Sequence, residues 1–162
     1  EYGFRFKYPT VIFKSRENFD APSGLKVILR EKDGGMGGYD LTLYVLSKKE
    51  YIKEYLENHA LPINVPKYNQ EYFDEKGYYS SPVTNTIRIK NIISQGIVGH
   101  ILYHPYTGAQ DVEFSYGHTV EWLKGETLIK IGISESNDVR KDERLRILET
   151  IVDSMTFFNP GN

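Results

Sequence analysis

The chain of 162 residues contains no cysteine, and neither sign of charge dominates it. The lack of cysteine excludes disulfide bonds, thiolate zinc sites, iron–sulfur clusters and cysteine nucleophiles. The 20 lysines and arginines face 22 aspartates and glutamates, which gives a net charge of −2. This balance argues against a nucleic-acid-binding protein that works by neutralising phosphates. No apolar run approaches the roughly 20 residues that a transmembrane helix needs.

Aromatic residues, in contrast, are plentiful: the chain has 13 tyrosines, 8 phenylalanines and one tryptophan. Its length predicts a single domain over residues 1–162. A chain of this length buries roughly 68–70% of its unfolded surface, so its core needs no disulfide support.

Alternation with a period of two predicts strands at the start of the chain. Aromatic side chains at every second position of 2–8 would share one face of a half-buried strand, which Pro9 ends. Residues 25–30 and 39–46 predict two more strands. The glycine-rich segment 33–38 between them favours an antiparallel hairpin.

A helix is predicted from Ser47, because Ser47 and Glu50 have the spacing of a capping box. Pro62 ends this helix. The segment 61–82 contains three prolines and four tyrosines, and it predicts an ordered excursion packed by its own aromatic rings.

Strands separated by turns are predicted throughout 84–133, a pattern typical of an antiparallel meander. A second helix follows, with Ser136 or Asn137 as its N-cap. Its apolar stripe consists of Leu145, Leu148, Ile151, Val152 and Met155. Four cations crowd its start, namely Arg140, Lys141, Arg144 and Arg146. Because acidic residues are interleaved with them, they predict a solvated face of mixed charge more than a surface for acidic lipid or protein.

A curved antiparallel sheet flanked by two amphipathic helices is an α+β fold of two or three layers. The opening Tyr2-Gly3-Phe4-Arg5-Phe6-Lys7-Tyr8-Pro9 resembles the YGFxFxYP start of the PsbP/Mog1-like family. The segment 147–157, ILETIVDSMTF, is similar to that family's closing helix and tail. One departure is the stretch 11–13, Val-Ile-Phe, where the family often has a tryptophan. The resemblance implies an α/β/α sandwich, and it implies neither a catalytic site nor a cofactor.

Several patterns invite a chemical interpretation, and each has a simpler one. His100 and His104 lie about 13 Å apart along a strand, too far for one metal ion. His100 could meet His118 only if their strands pair in the right register. The loop 33–38 precedes a strand, whereas a phosphate loop precedes a helix. The sequence contains no Gly-x-Ser-x-Gly motif, and Glu113 and Glu121 are about 26 Å apart along one strand, too far for paired glycosidase acids. We therefore expect no catalytic residue, metal ligand or cofactor site.

The tyrosines are the most suggestive feature. Tyr44, Tyr51 and Tyr55 fit the rim of the core, with their hydroxyls at the surface. The candidate surface for a partner or a ligand lies in the excursion, because tyrosine offers a large contact area at low entropic cost. It consists of Tyr68, Tyr72, Phe73, Tyr78 and Tyr79.

The chain starts at Glu1 without an initiator methionine, which favours a signal peptide, a lipoprotein anchor, a tag or a further domain upstream. Members of the resembled family include a photosystem II subunit, a Ran-binding transport factor and bacterial exported proteins or lipoproteins. We expect a non-catalytic domain, soluble or lipid-tethered outside the cytoplasm, that binds a protein or assists an assembly. The alternatives are a protein that binds a small ligand in an aromatic-lined cleft beside 61–82 and, third, a hydrolase with an unrecognised site.

Overall fold

The computed structural model describes residues 3–10, 12–21, 24–31, 40–67, 86–104, 117–134 and 140–159. The described strands are β1 (Phe4–Arg5), β2 (Phe13–Ala21), β3 (Gly24–Glu31), β4 (Asp40–Leu46), β5 (Pro66–Lys67), β6 (Thr86–Ser94), β7 (Ile97–His104), β8 (Gly117–Lys124), β9 (Thr127–Ser134) and β10 (Thr156–Phe157). The helices are α1 (Lys49–Ala60), which follows β4, and α2 (Lys141–Ser154), which precedes β10.

Eight of these strands form one antiparallel sheet in the order β2-β3-β4-β9-β8-β7-β6-β5. Strands β3 and β4 pair as the predicted hairpin, and β6 to β9 form the predicted meander. A second, two-stranded sheet joins β1 to β10, so it ties the start of the chain to its end.

The side chains of β9 show how the sheet divides into two faces. Ile129, Ile131 and Ile133 are buried in the cluster that also contains Leu148 and Ile151 of α2. Leu128 faces the opposite way and packs with Tyr55 of α1. Because successive residues of a strand point to opposite faces, α1 and α2 cover opposite sides of the sheet. The fold is therefore α+β with three layers, as predicted.

The first element of the chain is shorter than its aromatic alternation indicates. Among the described residues of 2–8, only Phe4–Arg5 pair as a strand, yet Phe4, Phe6 and Tyr8 all pack against the core on the α2 side. The shared face was predicted correctly, although the strand length was not.

Two local predictions were wrong, and one strand was missed. Helix α1 begins at Lys49, and Lys48 occupies its N-cap position without a side-chain cap, so Ser47 does not form a capping box. Helix α2 has Arg140 at its N-cap position; Ser136 and Asn137 lie outside the described residues. Strand β2 was not predicted at all.

Candidate functional site

A row of polar side chains crosses the sheet beneath α1. Strand register places Asn91, His100, Glu121, Lys130 and Tyr44 side by side on five neighbouring strands. The exposed fractions of His100, Glu121 and Lys130 are 0%, 1% and 7%. Ionisable side chains are rarely this buried unless they are paired with other groups.

Glu121 is the centre of this row, since each of its carboxylate oxygens has a partner. Nε2 of His100 lies 3.0 Å from Oε2, and the ammonium of Lys130 lies 2.9 Å from Oε1. Burial alone would raise the pKa of the Glu121 carboxyl, but Lys130 and the hydrogen bond with His100 outweigh burial and lower this pKa to about 2. Glu121 is therefore an ionised carboxylate in the interior.

The charge on Lys130 is maintained in the same way. Burial favours its neutral amine, but the carboxylates of Glu121 and Glu54 outweigh burial and raise the pKa of Lys130. The two side chains therefore form a buried ion pair.

Helix α1 brings a second histidine to the row. Nδ1 of His59 lies 3.1 Å from Nδ1 of His100. The Tyr55 ring stacks on both imidazoles, with centroid distances of 4.8 Å to His100 and 5.8 Å to His59. The Tyr55 hydroxyl donates a hydrogen bond to the carbonyl of Val98, 2.9 Å away. This hydroxyl therefore forms a hydrogen bond within the protein. The prediction that it lies at the surface was wrong.

His59 is half-buried at the outer end of this arrangement. Arg88 donates a hydrogen bond to the carbonyl oxygen of His59 and a second one to Asn91. Partial burial opposes a positive charge on the imidazole, and so do Arg88 and, whenever it is protonated, His100, so the pKa of His59 is below its usual value.

The remaining two histidines are held differently. His104 lies between the hydroxyls of Thr86 and Thr119, at 3.2 Å and 3.1 Å. Burial and the charge of Lys130 lower its pKa to about 3. His118 lies on the α2 side, fully buried and 4.9 Å from the Tyr103 ring. Burial, together with Arg144 and Lys141, lowers its pKa to about 4.

His100 contacts His59 and not His118. His100 and His118 are on opposite faces of the sheet, because His118 pairs in register with Tyr103 and His100 with Glu121. The partner of His100 is His59, from a helix 41 positions earlier in the chain. Within the described ranges, no group of three or more histidine, aspartate or glutamate side chains could hold a metal ion.

An apolar cavity of about 240 Å³ lies on the α2 side, between the start of the chain and strands β3 and β4. Aromatic rings come from one wall and aliphatic side chains from the other. The lining residues are Phe4, Arg5, Phe6, Tyr8, Leu25, Val27, Leu29, Leu41 and Leu43. The sequence predicts that the alternating aromatic residues of 2–8 contribute only to the core. It places an aromatic-lined cleft elsewhere, beside 61–82.

The predicted partner surface cannot be placed, because Tyr68, Tyr72, Phe73, Tyr78 and Tyr79 lie outside the described residues. An exposed aliphatic pair is present on the α1 side instead. Ile93 and Val98 pair across β6 and β7, and 73% and 42% of their surfaces are exposed.

The basic start of α2 forms only part of the solvated face that was predicted, since Lys141 and Arg146 are exposed but the other two cations are not. Arg144 is buried, with 1% of its surface exposed, and Arg140 forms an ion pair with Glu31 at 3.3 Å. Arg144 and Arg140 therefore take part in packing.

In the described part of the chain, neither helix has the length and apolar composition to cross a membrane. Comparison of the chain with protein-family models gave no match, and comparison with curated proteins gave none either.

Proposed function

We propose that this domain binds a small apolar ligand in the cavity between its amino-terminal segment and strands β3 and β4. The observation that carries the proposal is the cavity itself: about 240 Å³, partly open to solvent and lined by aromatic and aliphatic side chains. Ligand sites are typically concave, mostly apolar and supplied with few polar groups. Of the described residues that line it, Arg5 is the one that carries a charge.

The size of the cavity narrows the class of ligand. Pockets for drug-sized molecules usually measure about 300–1,000 Å³, so this cavity fits a smaller compound. An apolar cavity of about 150 Å³ in another protein is known to accommodate benzene. A compound with one or two fused aromatic rings, such as indole, is therefore a suitable probe.

The proposal is tested by titrating the protein with indole and following backbone amide shifts by NMR. We expect saturable shifts in β1, β3 and β4. Leu43→Phe places a ring in the cavity and should weaken binding at least about tenfold. Leu123→Phe is the matched control, because Leu123 packs in the cluster on the other face. Absence of saturable shifts, or equal binding by both variants, would overturn the proposal.

A second candidate function is binding of a protein or assistance of an assembly, and the exposed pair Ile93 and Val98 favours it. Exposed aliphatic groups often mark contact surfaces. Cross-linking in cells that produce the protein should give a defined adduct, and the double change Ile93→Lys and Val98→Lys should abolish it. An adduct that persists in this variant would count against a contact at this pair.

We also propose membership of the PsbP/Mog1-like family and a location outside the cytoplasm, either soluble or lipid-tethered. The support is the resemblance of the opening motif and closing helix, together with an α/β/α arrangement of the kind that this family implies. Protease treatment of intact cells should degrade the protein if it is exposed outside the cytoplasmic membrane, and labelling with a radioactive fatty acid would reveal a lipid tether.

A further inference from the structure

A chain of hydrogen bonds runs from the interior to the surface on the α1 side, and it is separate from the cavity proposed above to bind a ligand. It connects the Glu121 carboxylate to His100 at 3.0 Å and His100 to His59 at 3.1 Å. We name these three side chains the Glu121–His100–His59 relay. The first two are at most 1% exposed, and the third is half-buried.

The distances between the two imidazoles fit a direct hydrogen bond. The Nδ1 atoms of His59 and His100 are 3.1 Å apart, and the ring centroids are 5.3 Å apart. The excess of the second distance over the first is close to two imidazole ring radii, so the two nitrogens point at each other. The geometry is that of an N–H···N hydrogen bond.

The ionised carboxylate then determines where the protons are. Glu121 only accepts, so Nε2 of His100 carries a proton and donates it. In a neutral His100 this leaves the lone pair on Nδ1, so Nδ1 of His59 carries the proton of the second hydrogen bond. A neutral His59 consequently has its free lone pair on Nε2. No described side chain donates a hydrogen bond to that atom.

This arrangement matches the physical requirements of an activated imidazole. A carboxylate that orients a histidine and stabilises its protonated form is the supporting part of a catalytic triad. Here His59 occupies the place that a nucleophilic hydroxyl takes in such a triad. The imidazole of His59 stacks on the Tyr55 ring, and Arg88 donates a hydrogen bond to the backbone carbonyl oxygen of His59. These two contacts hold His59 in position.

We propose that His59 is a nucleophilic catalytic residue for activated acyl esters, and that His100 and Glu121 are its positioning residues. The Nε2 lone pair forms a bond to the ester carbonyl carbon, and the alkoxide or phenolate departs with the electron pair of its C–O bond. The Nδ1 proton of His59 passes to Nδ1 of His100, which becomes an imidazolium beside the Glu121 carboxylate. Water then attacks the acyl-imidazole: one of its protons remains in the released carboxylic acid, and the other neutralises the departed alkoxide or phenolate through solvent. The proton held on Nδ1 of His100 returns to Nδ1 of His59.

The relay's surroundings support this assignment. The lowered pKa of His59 keeps its imidazole unprotonated at neutral pH, as a nucleophile requires. The inference departs from the expectation that the chain is not an enzyme. It is independent of the proposed ligand cavity, which lies on the opposite face of the sheet.

The first test uses the unchanged protein. Long-range ¹H–¹⁵N correlation spectra of the imidazoles should show His59 protonated at Nδ1 and unprotonated at Nε2, and His100 protonated at Nε2. A purely structural His59 exposed to water would favour a proton at Nε2, and that result would overturn the relay.

The second test follows release of p-nitrophenolate from p-nitrophenyl acetate, with mass spectrometry of the trapped intermediate. The acyl group should be on His59, and His59→Gln should reduce the rate to that of the background reaction. Glu121→Gln should slow the reaction at least about tenfold. His104→Gln is the matched control, because His104 hydrogen-bonds to threonine hydroxyls and not to a carboxylate; it should keep the rate within about twofold.

Acylation of another residue, or a full rate in His59→Gln, would refute the proposal. If Glu121→Gln does not fold, the imidazole spectra and the site of acylation in the unchanged protein still decide. Loss of indole binding with full esterase activity would count against the ligand cavity alone, so the two proposals fail separately.

Discussion

Glu121 keeps a negative charge in a place that water hardly reaches, and Lys130 is the group that most favours this charge. Removing one member of a buried pair leaves the other charged and unpaired, which typically costs about 3–5 kcal/mol. We expect Glu121→Gln to lower the free energy of unfolding by that amount at pH 7, as measured by urea denaturation.

Glu57→Gln is the control for this change, because its ion pair with Lys53 is exposed and 3.8 Å long. Exposed pairs contribute little, so this substitution should change the free energy of unfolding by less than about 1 kcal/mol. Similar losses in the two variants would show that the buried pair has no special weight.

His118 should make stability depend on pH. Its pKa falls to about 4 in the folded chain, because burial and the nearby Arg144 and Lys141 disfavour the imidazolium, whereas an unfolded histidine has a pKa of about 6.5. Between these two values the unfolded state binds the additional proton. The free energy of unfolding therefore falls as pH drops from about 6.5 to about 4, by roughly 3 kcal/mol in total.

His118→Phe isolates this effect. In the described part of the chain neither ring nitrogen of His118 has a hydrogen-bond partner, so a phenyl ring loses no hydrogen bond there and keeps the contact with Tyr103. We expect the free energy of unfolding, measured with urea, to fall less between pH 7 and pH 4.5 in the variant than in the parent protein. An equal loss of stability with pH in both proteins would rule out His118 as the source.

At the scale of elements, the pairing of β7 with β8 depends on Gly99. A Cβ at this position would lie 2.4 Å from the carbonyl oxygen of Glu121 and 2.6 Å from the Trp122 ring. The backbone contact cannot relax without separating the two strands, so Gly99→Ala should lower the free energy of unfolding by at least about 2 kcal/mol.

Gly132→Ala on β9 is the matched control for thermal or urea unfolding. Its Cβ would lie 3.2 Å from a methyl group of Thr119, which belongs to a side chain, and alanine favours an extended strand over glycine by about 0.5–1 kcal/mol. We expect a change within about 1 kcal/mol. Equal destabilisation by the two substitutions would contradict the role given to the contact at Gly99.

Elements with strong apolar periodicity were predictable, and those set by pairing were not. The hairpin of β3 and β4 and the stripe of α2 follow from alternation and helical spacing. Strand β2 has the sequence FKSRENFDA, whose polar residues give no strand pattern. It is a strand because its backbone pairs with β3 at the edge of the sheet.

In the candidate site, too, one contact could be predicted from the sequence and another could not. The turn Gly125-Glu126 sets the register of β8 and β9. The pairing of Glu121 with Lys130 across these strands could therefore have been predicted by counting residues outward from the turn. The meeting of His59 with His100 could not, because it depends on where α1 lies across the sheet. Spacing along the chain carries no information on that placement.

At the scale of the whole molecule, one sheet separates two proposed sites. Glu121 of β8 faces the relay, while its neighbours Val120 and Trp122 face the core that continues to the cavity. Opposite faces of a sheet are distinct surfaces, and mutational effects at sites without shared partners usually add. Coupling between the sites would require an element with two arrangements, and the strands that separate them are close-packed.

We therefore expect the ligand cavity and the relay to act independently. His59→Gln should leave the indole dissociation constant unchanged within about twofold, and Leu43→Phe should leave the rate of p-nitrophenyl acetate cleavage unchanged to the same extent. The double variant should show both losses at their single-variant sizes. If saturating indole alters the cleavage rate of the unchanged protein several-fold, and Leu43→Phe removes that response, the sheet transmits a signal between its faces and the two sites form one functional unit.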